Sequence, residues 1–247
     1  MTSHPPGKCC YSGVKHEGAA KGEITKVGGI SSYVTYPADK STENTVLILP
    51  DVIGHEFINA QLIADQFAAN GYFCLIPDLF NGDPVPLNKP GDFDIFKWLE
   101  AGHKPENVEP IITAVIKALR NEMGVKRIGG VGYCFGGKYV ITNLRPGSGI
   151  DVGYTAHPSF VESDELRALK GPLSIAAAET DQIFPAPKRH ETEEILEELK
   201  FPYQMTLYSG VQHGFAVRGD MSIQQVRFAK ETAFLQALQW FDEYLKQ

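Results

Sequence analysis

Three residues carry the chemistry available to this sequence: Cys134, Asp181 and His213. Cys134 sits in Gly132-Tyr133-Cys134-Phe135-Gly136-Gly137, after the run Ile128-Gly129-Gly130-Val131. The spacing Gly-x-Cys-x-Gly is that of a sharp strand-to-helix turn with a nucleophile at its tip, here cysteine in place of serine. Side chains beside the nucleophile would crowd so tight a turn, so glycine is needed on both flanks. The helix that follows would aim its N-terminal amides and positive dipole end at the sulfur and favour thiolate. Such a sulfur can attack an ester or lactone carbonyl. A histidine is then needed as its base and an acid to orient the histidine. Asp181 follows the apolar run Leu173–Ala178, and His213 follows the last strand-like run, Tyr203–Tyr208.

Other chemistries fit less well. Gly132-x-x-x-x-Gly137-Lys138 starts like a phosphate-binding loop, but Tyr139 stands where Ser or Thr must bind magnesium. Gly130-x-Gly132 has Phe135 at the position of the third dinucleotide-loop glycine, and Cys-x-x-Cys is absent from the sequence. Cys9, Cys10 and His16 suggest a metal cluster, yet adjacent cysteines do not match the usual zinc spacing. No metal or cofactor is expected. Cys74, within Tyr72–Ile76, reads as inert core. Glu179 competes with Asp181 as the acid. Among the remaining histidines, His157 follows a predicted strand at Asp151–Ala156 and is expected to line the pocket.

The elements that must position these residues alternate. A leading hairpin is predicted over Glu23–Val27 and Ile30–Tyr36, and a strand buried on both faces over Thr45–Leu49. A helix follows over about Asn59–Asn70, then a strand over Tyr72–Pro77. Further helices are expected over Pro105–Met123, from Cys134 to Leu144, from a cap at Ser163 to Leu169, over Pro187–Lys200, and over Ser222–Leu245. The last helix is read with Val226, Phe234, Leu235, Leu238, Phe241 and Leu245 inward. This alternation predicts one α/β domain over residues 1–247, a mostly parallel doubly wound sheet with helices on both faces. In such sheets the strands' carboxyl-end loops form the site. Residues 79–104 read as a lid or pocket loop within the domain, because irregular segments this long are usually functional. Residues 1 to about 20 read as an extended surface arm.

A formal net charge of −7 argues against nucleic acid as a partner, because phosphate recognition needs clustered Lys and Arg. No apolar run approaches the ~18 residues of a membrane span. The start, Met1–Pro6, lacks a signal-type apolar region, and Tyr244–Gln247 carries no targeting tag. Cytoplasmic residence and a small-molecule partner are expected.

In an α/β-hydrolase the chain order is nucleophile, acid, histidine, each on a carboxyl-end loop. Cys134, Asp181 and His213 follow it. Pro50-Asp51-Val52-Ile53-Gly54, Ile76-Pro77-Asp78-Leu79-Phe80, the Cys134 turn, Asp181 and His213-Gly214-Phe215 together resemble the dienelactone hydrolase family of carboxymethylenebutenolidase-like cysteine hydrolases, its eukaryotic branch in particular. The resemblance implies an α/β-hydrolase fold, hydrolysis of an ester or enol-lactone, and a Cys134-His213-Asp181 triad. It implies oxyanion donors at the Phe135 and Val52 amides and a carboxylate beside the thiol at Asp51, where bacterial members carry glutamate. Those members also bind a substrate carboxylate with two arginines. One falls where this chain has Asn81-Gly82, the other near Arg218. Arg218, His157 and Phe80 complete the expected substrate-binding set. Two other readings are a broad carboxylesterase or thioesterase, and a ligand-binding protein on a hydrolase scaffold.

Overall fold

The computed structural model describes residues 1–89, 91, 93–145 and 147–246. Pro90 and Asp92, inside the predicted pocket loop, and Gln247 lie outside the described residues.

Strands β1 (Glu23–Val27) and β2 (Ile30–Thr35) turn at Gly28-Gly29 and form one edge of an eight-stranded sheet. β2 pairs antiparallel with β4 (Phe73–Pro77). Next in space come β3 (Asn44–Leu49), β5 (Arg127–Tyr133), β6 (Val152–Ala156), β7 (Leu173–Thr180) and β8 (Tyr203–Gln212), all parallel. The chain steps outward from β3 to β4 and then returns to the other side of β3 as β5. That reversal opens a crevice at the carboxyl ends of β3 and β5, where open α/β sheets place their ligands.

The central strands are apolar because both faces are covered. Val46–Leu49 and Phe73–Ile76 are fully buried. Successive residues of β5 show what covers each face. A Cβ on Gly129 would lie 2.8 Å from the Phe241 ring, and one on Gly130 2.8 Å from Ile150 and 3.3 Å from Val140. Adjacent strand residues point to opposite faces. Helix α8 (Gln224–Tyr244) therefore covers one face and α4 (Phe135–Asn143) the other. Helix α1 (Ile58–Ala69) joins α8 through Phe67, whose ring is 4.8 Å from Phe234. Burying such a ring stabilises by roughly 2–3 kcal/mol. Helix α3 (Pro105–Asn121) joins α4, where Thr142 and Asn143 donate to Glu109. The smaller helices are α2 (Ile95–Glu100), α5 (Ser163–Arg167), α6 (Ala186–Leu199) and α7 (Phe215–Arg218).

Several expectations need correction. Leu235 is half exposed, because α8 turns a stripe of Ala229, Ala233 and Ala237 to the sheet. Those small side chains let Tyr154 of β6 reach the Ala233 carbonyl at 2.9 Å. Ser163 is the first residue of α5 and does not cap it; Glu162 and Glu165 form the cap. The last strand runs on to Gln212, with a register shift opposite Ala178/Thr180.

The largest correction concerns the N-terminus. Residues 1–14 are a strap across the carboxyl ends of the strands, while residues 15–22 run on along α1 and are largely exposed. Thr2 and Ser3 donate to the Val161 carbonyl, and His4 to that of Ile183. Val14 donates to the Arg218 carbonyl, and Gly13 and Asn88 exchange bonds at 3.0 and 2.9 Å. Thr2, Ser3, Cys10 and Tyr11 are buried.

Candidate active site

The turn between β5 and α4 is built from close backbone contacts. Cys134 has φ 52° and ψ −111°, a conformation that costs free energy and must be held by its surroundings. A Cβ on Gly136 would lie 1.9 Å from the Leu49 carbonyl oxygen, and one on Gly132 2.6 Å from the Gly137 Cα. The Cys134 amide donates to the Ala156 carbonyl at 3.2 Å, and its carbonyl accepts from Gly137 and Ser159. The sulfur therefore stands at the head of α4, 3.8 Å from the Ser159 hydroxyl.

His213 comes to it from the far end of β8. Its ring lies near enough to Cys134 for each to shift the other's proton affinity. On its other side, Nδ1 donates to the Asp181 carboxylate at 2.9 and 3.0 Å. Asp181 leaves β7 in a tight turn and accepts from the Ile183 and Phe184 amides at 2.8 and 2.9 Å. Glu179, the competing acid, is exposed and accepts from the Gly210 amide instead.

Charge on this chain of groups is set by mutual contact. Burial works against a Cys134 thiolate. The Cys10 hydrogen bond, the imidazole and Arg218 outweigh it and hold the thiol well below its ordinary range. Burial likewise works against an imidazolium, but the Cys134 and Asp181 charges raise His213 to about 10. Each group thereby favours the charged form of the other.

The strap completes the site. Its 3-10 turn, Lys8–Cys10, places the Cys10 sulfur 3.5 Å from His213 Nε2. Sequence reasoning missed Cys10 and Ser159. The adjacent Cys9-Cys10 pair was the only local signal, and nothing near it in the chain points to a histidine 203 positions away. His16, the expected companion of these cysteines, instead bonds the Gly219 carbonyl at 2.8 Å.

The other expected site residues fall as follows. Asp51, on the loop after β3, feels the Cys134 charge but forms its direct contact with Arg218. Burial pushes its carboxyl up, and the guanidinium opposes this. Arg218 is fully enclosed: Nη1 bonds Asp51, Nη2 the Cys9 carbonyl and Nε the Ser12 carbonyl. It is a clamp on the strap, which corrects its reading as a free carboxylate binder. His157 packs edge-on to His213 with ring centres 5.0 Å apart. It is wholly buried, burial holds it well below the ordinary imidazole range, and its ring nitrogens have no partner among the described residues. Phe80 is enclosed by Trp98, Phe135 and His103. The Phe135 amide begins α4, so it has no acceptor within that helix. Val52 is fixed through its carbonyl, which accepts from Val85 at 2.8 Å.

A sequence model described as the dienelactone hydrolase family matches residues 30–245. The chain is 57% identical to a protein named hydrolase tropI from Talaromyces stipitatus, over the full length of both. It is 34% identical to dienlactone hydrolase 1 of Gibberella moniliformis, covering 99% of this chain and 96% of the relative. Among solved structures, a dienelactone hydrolase-like promiscuous phosphotriesterase from metagenomic libraries superposes with a TM-score of 0.72 at 15% identity, covering 92% of this chain and 98% of the other. That likeness shows the α/β-hydrolase fold.

Proposed function

Because this chain belongs to the dienelactone hydrolase family, and is a hydrolase by that membership, we propose that it cleaves an ester or enol-lactone by acyl transfer to Cys134. One observation carries the proposal: His213 is bonded through Nδ1 to Asp181 and lies near enough to Cys134 for each to shift the other's proton affinity. The thiolate attacks the carbonyl carbon, a C–S bond forms, and the carbonyl π electrons move onto oxygen. The amides of Phe135 and Val52 receive that oxyanion, and such a donor typically contributes about 3 kcal/mol to the transition state. Collapse breaks the C–O bond, and the leaving oxygen takes the proton of His213. A water molecule, deprotonated by His213, then attacks the thioester and returns the thiolate. Asp181 keeps Nδ1 protonated throughout, so that Nε2 works as the base. Alcohols and enols suit a thiolate better than amines do, because a thiolate leaves more readily than an amine.

Arg218 favours one class of substrate. It is committed to Asp51 and two strap carbonyls, so substrates without a carboxylate fit better than dienelactone itself.

A panel of enol-lactones, p-nitrophenyl esters and acyl thioesters tests the reading. Cys134→Ala should abolish turnover with an unchanged melting temperature. Asp181→Asn should lower kcat by about 10³–10⁴-fold through the wrong imidazole tautomer. Undiminished turnover by Cys134→Ala would reject the nucleophile.

A further inference from the structure

We propose that Cys9, Cys10 and His213 together bind a thiophilic divalent cation, Zn²⁺ above others, and that the loaded chain is inactive. Cys9 Sγ, Cys10 Sγ and His213 Nε2 lie within 4.8 Å of one another. The 3.5 Å between the Cys10 sulfur and Nε2 matches the edge of a tetrahedron with zinc at about 2.3 Å from sulfur and about 2.0 Å from nitrogen. Two thiols and one imidazole supply three ligands of a tetrahedral zinc and leave the fourth position to solvent, and soft thiolates select zinc over magnesium or calcium.

The surroundings are those a metal site needs. Asp181 holds Nδ1 and turns Nε2 toward the sulfurs, the carboxylate–histidine arrangement found behind metal ligands. The Gly7 amide donates to the Cys10 sulfur at 3.4 Å, and Arg218 fixes the Cys9 carbonyl at 3.0 Å. Cys9 and His213 also face a groove of about 390 Å³ that gives access from solvent. Binding displaces the protons of the Cys9 and Cys10 thiols and of His213 Nε2 to solvent and engages the Nε2 lone pair. It therefore removes the base, a consequence that rests on the acyl-transfer reading.

The full chain, reduced with a phosphine and stripped with a chelator, is titrated with Co²⁺ and then with Zn²⁺. One equivalent of Co²⁺ should give thiolate-to-cobalt absorption in the near ultraviolet and the visible bands of a tetrahedral ion. Zn²⁺ should bleach both and inhibit ester hydrolysis, with recovery on chelation. Cys9→Ser and Cys10→Ser should each weaken Zn²⁺ binding and inhibition about tenfold or more, measured against each variant's own chelated activity. Melting curves report folding, and Cys9→Ser, at a half-buried side chain, decides the matter if Cys10→Ser does not fold. Missing thiolate absorption, or Zn²⁺ inhibition indifferent to Cys9→Ser, overturns the site. The cobalt bands need no substrate. A chain that binds cobalt yet hydrolyses nothing keeps the metal site and sinks the hydrolase reading.

Discussion

At the residue scale, Cys134 and His213 control each other's protons, and that coupling predicts a pH profile. Burial alone would raise the thiol; the Cys10 hydrogen bond and the charges on His213 and Arg218 lower it instead. A lowered thiol keeps its thiolate to a lower pH than an ordinary thiol does. The imidazolium persists until about 10. Alkylation of Cys134 by iodoacetamide should therefore stay level across neutral pH and fall only well below the ordinary thiol step near 8.5. Cys9 is lowered to about 7, first by the Cys10 hydrogen bond, so the rates must be read peptide by peptide in a mass spectrometer. His213→Ala removes a cation that opposes burial. In that variant the step should move toward alkaline pH, and the rate at pH 7 should drop. An unmoved step would show that the imidazole does not set the charge on the sulfur.

At the element scale, the turn after β5 was legible in the sequence because its requirements are local. Gly132 and Gly136 are dictated by backbone within a few ångströms, and the alternation of strands and helices fixed which loops lie at the carboxyl edge. Gly136→Ala should cost at least about 3 kcal/mol in a urea melt, beyond the ordinary range for overpacking, since its Cβ would meet the Leu49 carbonyl at 1.9 Å. Gly7→Ala is the control. Its Cβ finds only Ile183, at 3.6 Å, and its φ of −137° suits any residue. A variant at 136 as stable as the control would mean the turn has room that the geometry denies. Less legible was the rotation of α8. The large apolar Leu235 outranked the alanines in the sequence, but the sheet selects small side chains where helix and strand approach closely. Helix α7 was also missed, since four residues are too few to display a period.

At the scale of the whole molecule, the strap makes the N-terminus part of the site, and Arg218 is where the two meet. No pattern in residues 1–14 announces this, because their partners lie as far off as Val161, Ile183 and Arg218. The Asp51–Arg218 pair is sealed from water, so breaking it on one side differs from removing it. Arg218→Met would leave the Asp51 carboxylate buried without its counter-charge, a loss of about 3–5 kcal/mol. It would also free the Cys9 and Ser12 carbonyls that the guanidinium holds. Asp51→Asn with Arg218→Met removes the stranded charge, and urea melts of this double variant should recover much of that loss. The strap should stay loose in both variants. Hydrogen exchange at the Val14 amide, which donates to the Arg218 carbonyl at 2.9 Å, should then be faster than in the parent chain even where global stability is restored. If the double variant melts no later than the single one, an unpaired Asp51 charge is not what the arginine relieves. If the Val14 amide stays protected, the strap is held by its hydrogen bonds to Val161, Ile183 and Asn88 without need of the clamp.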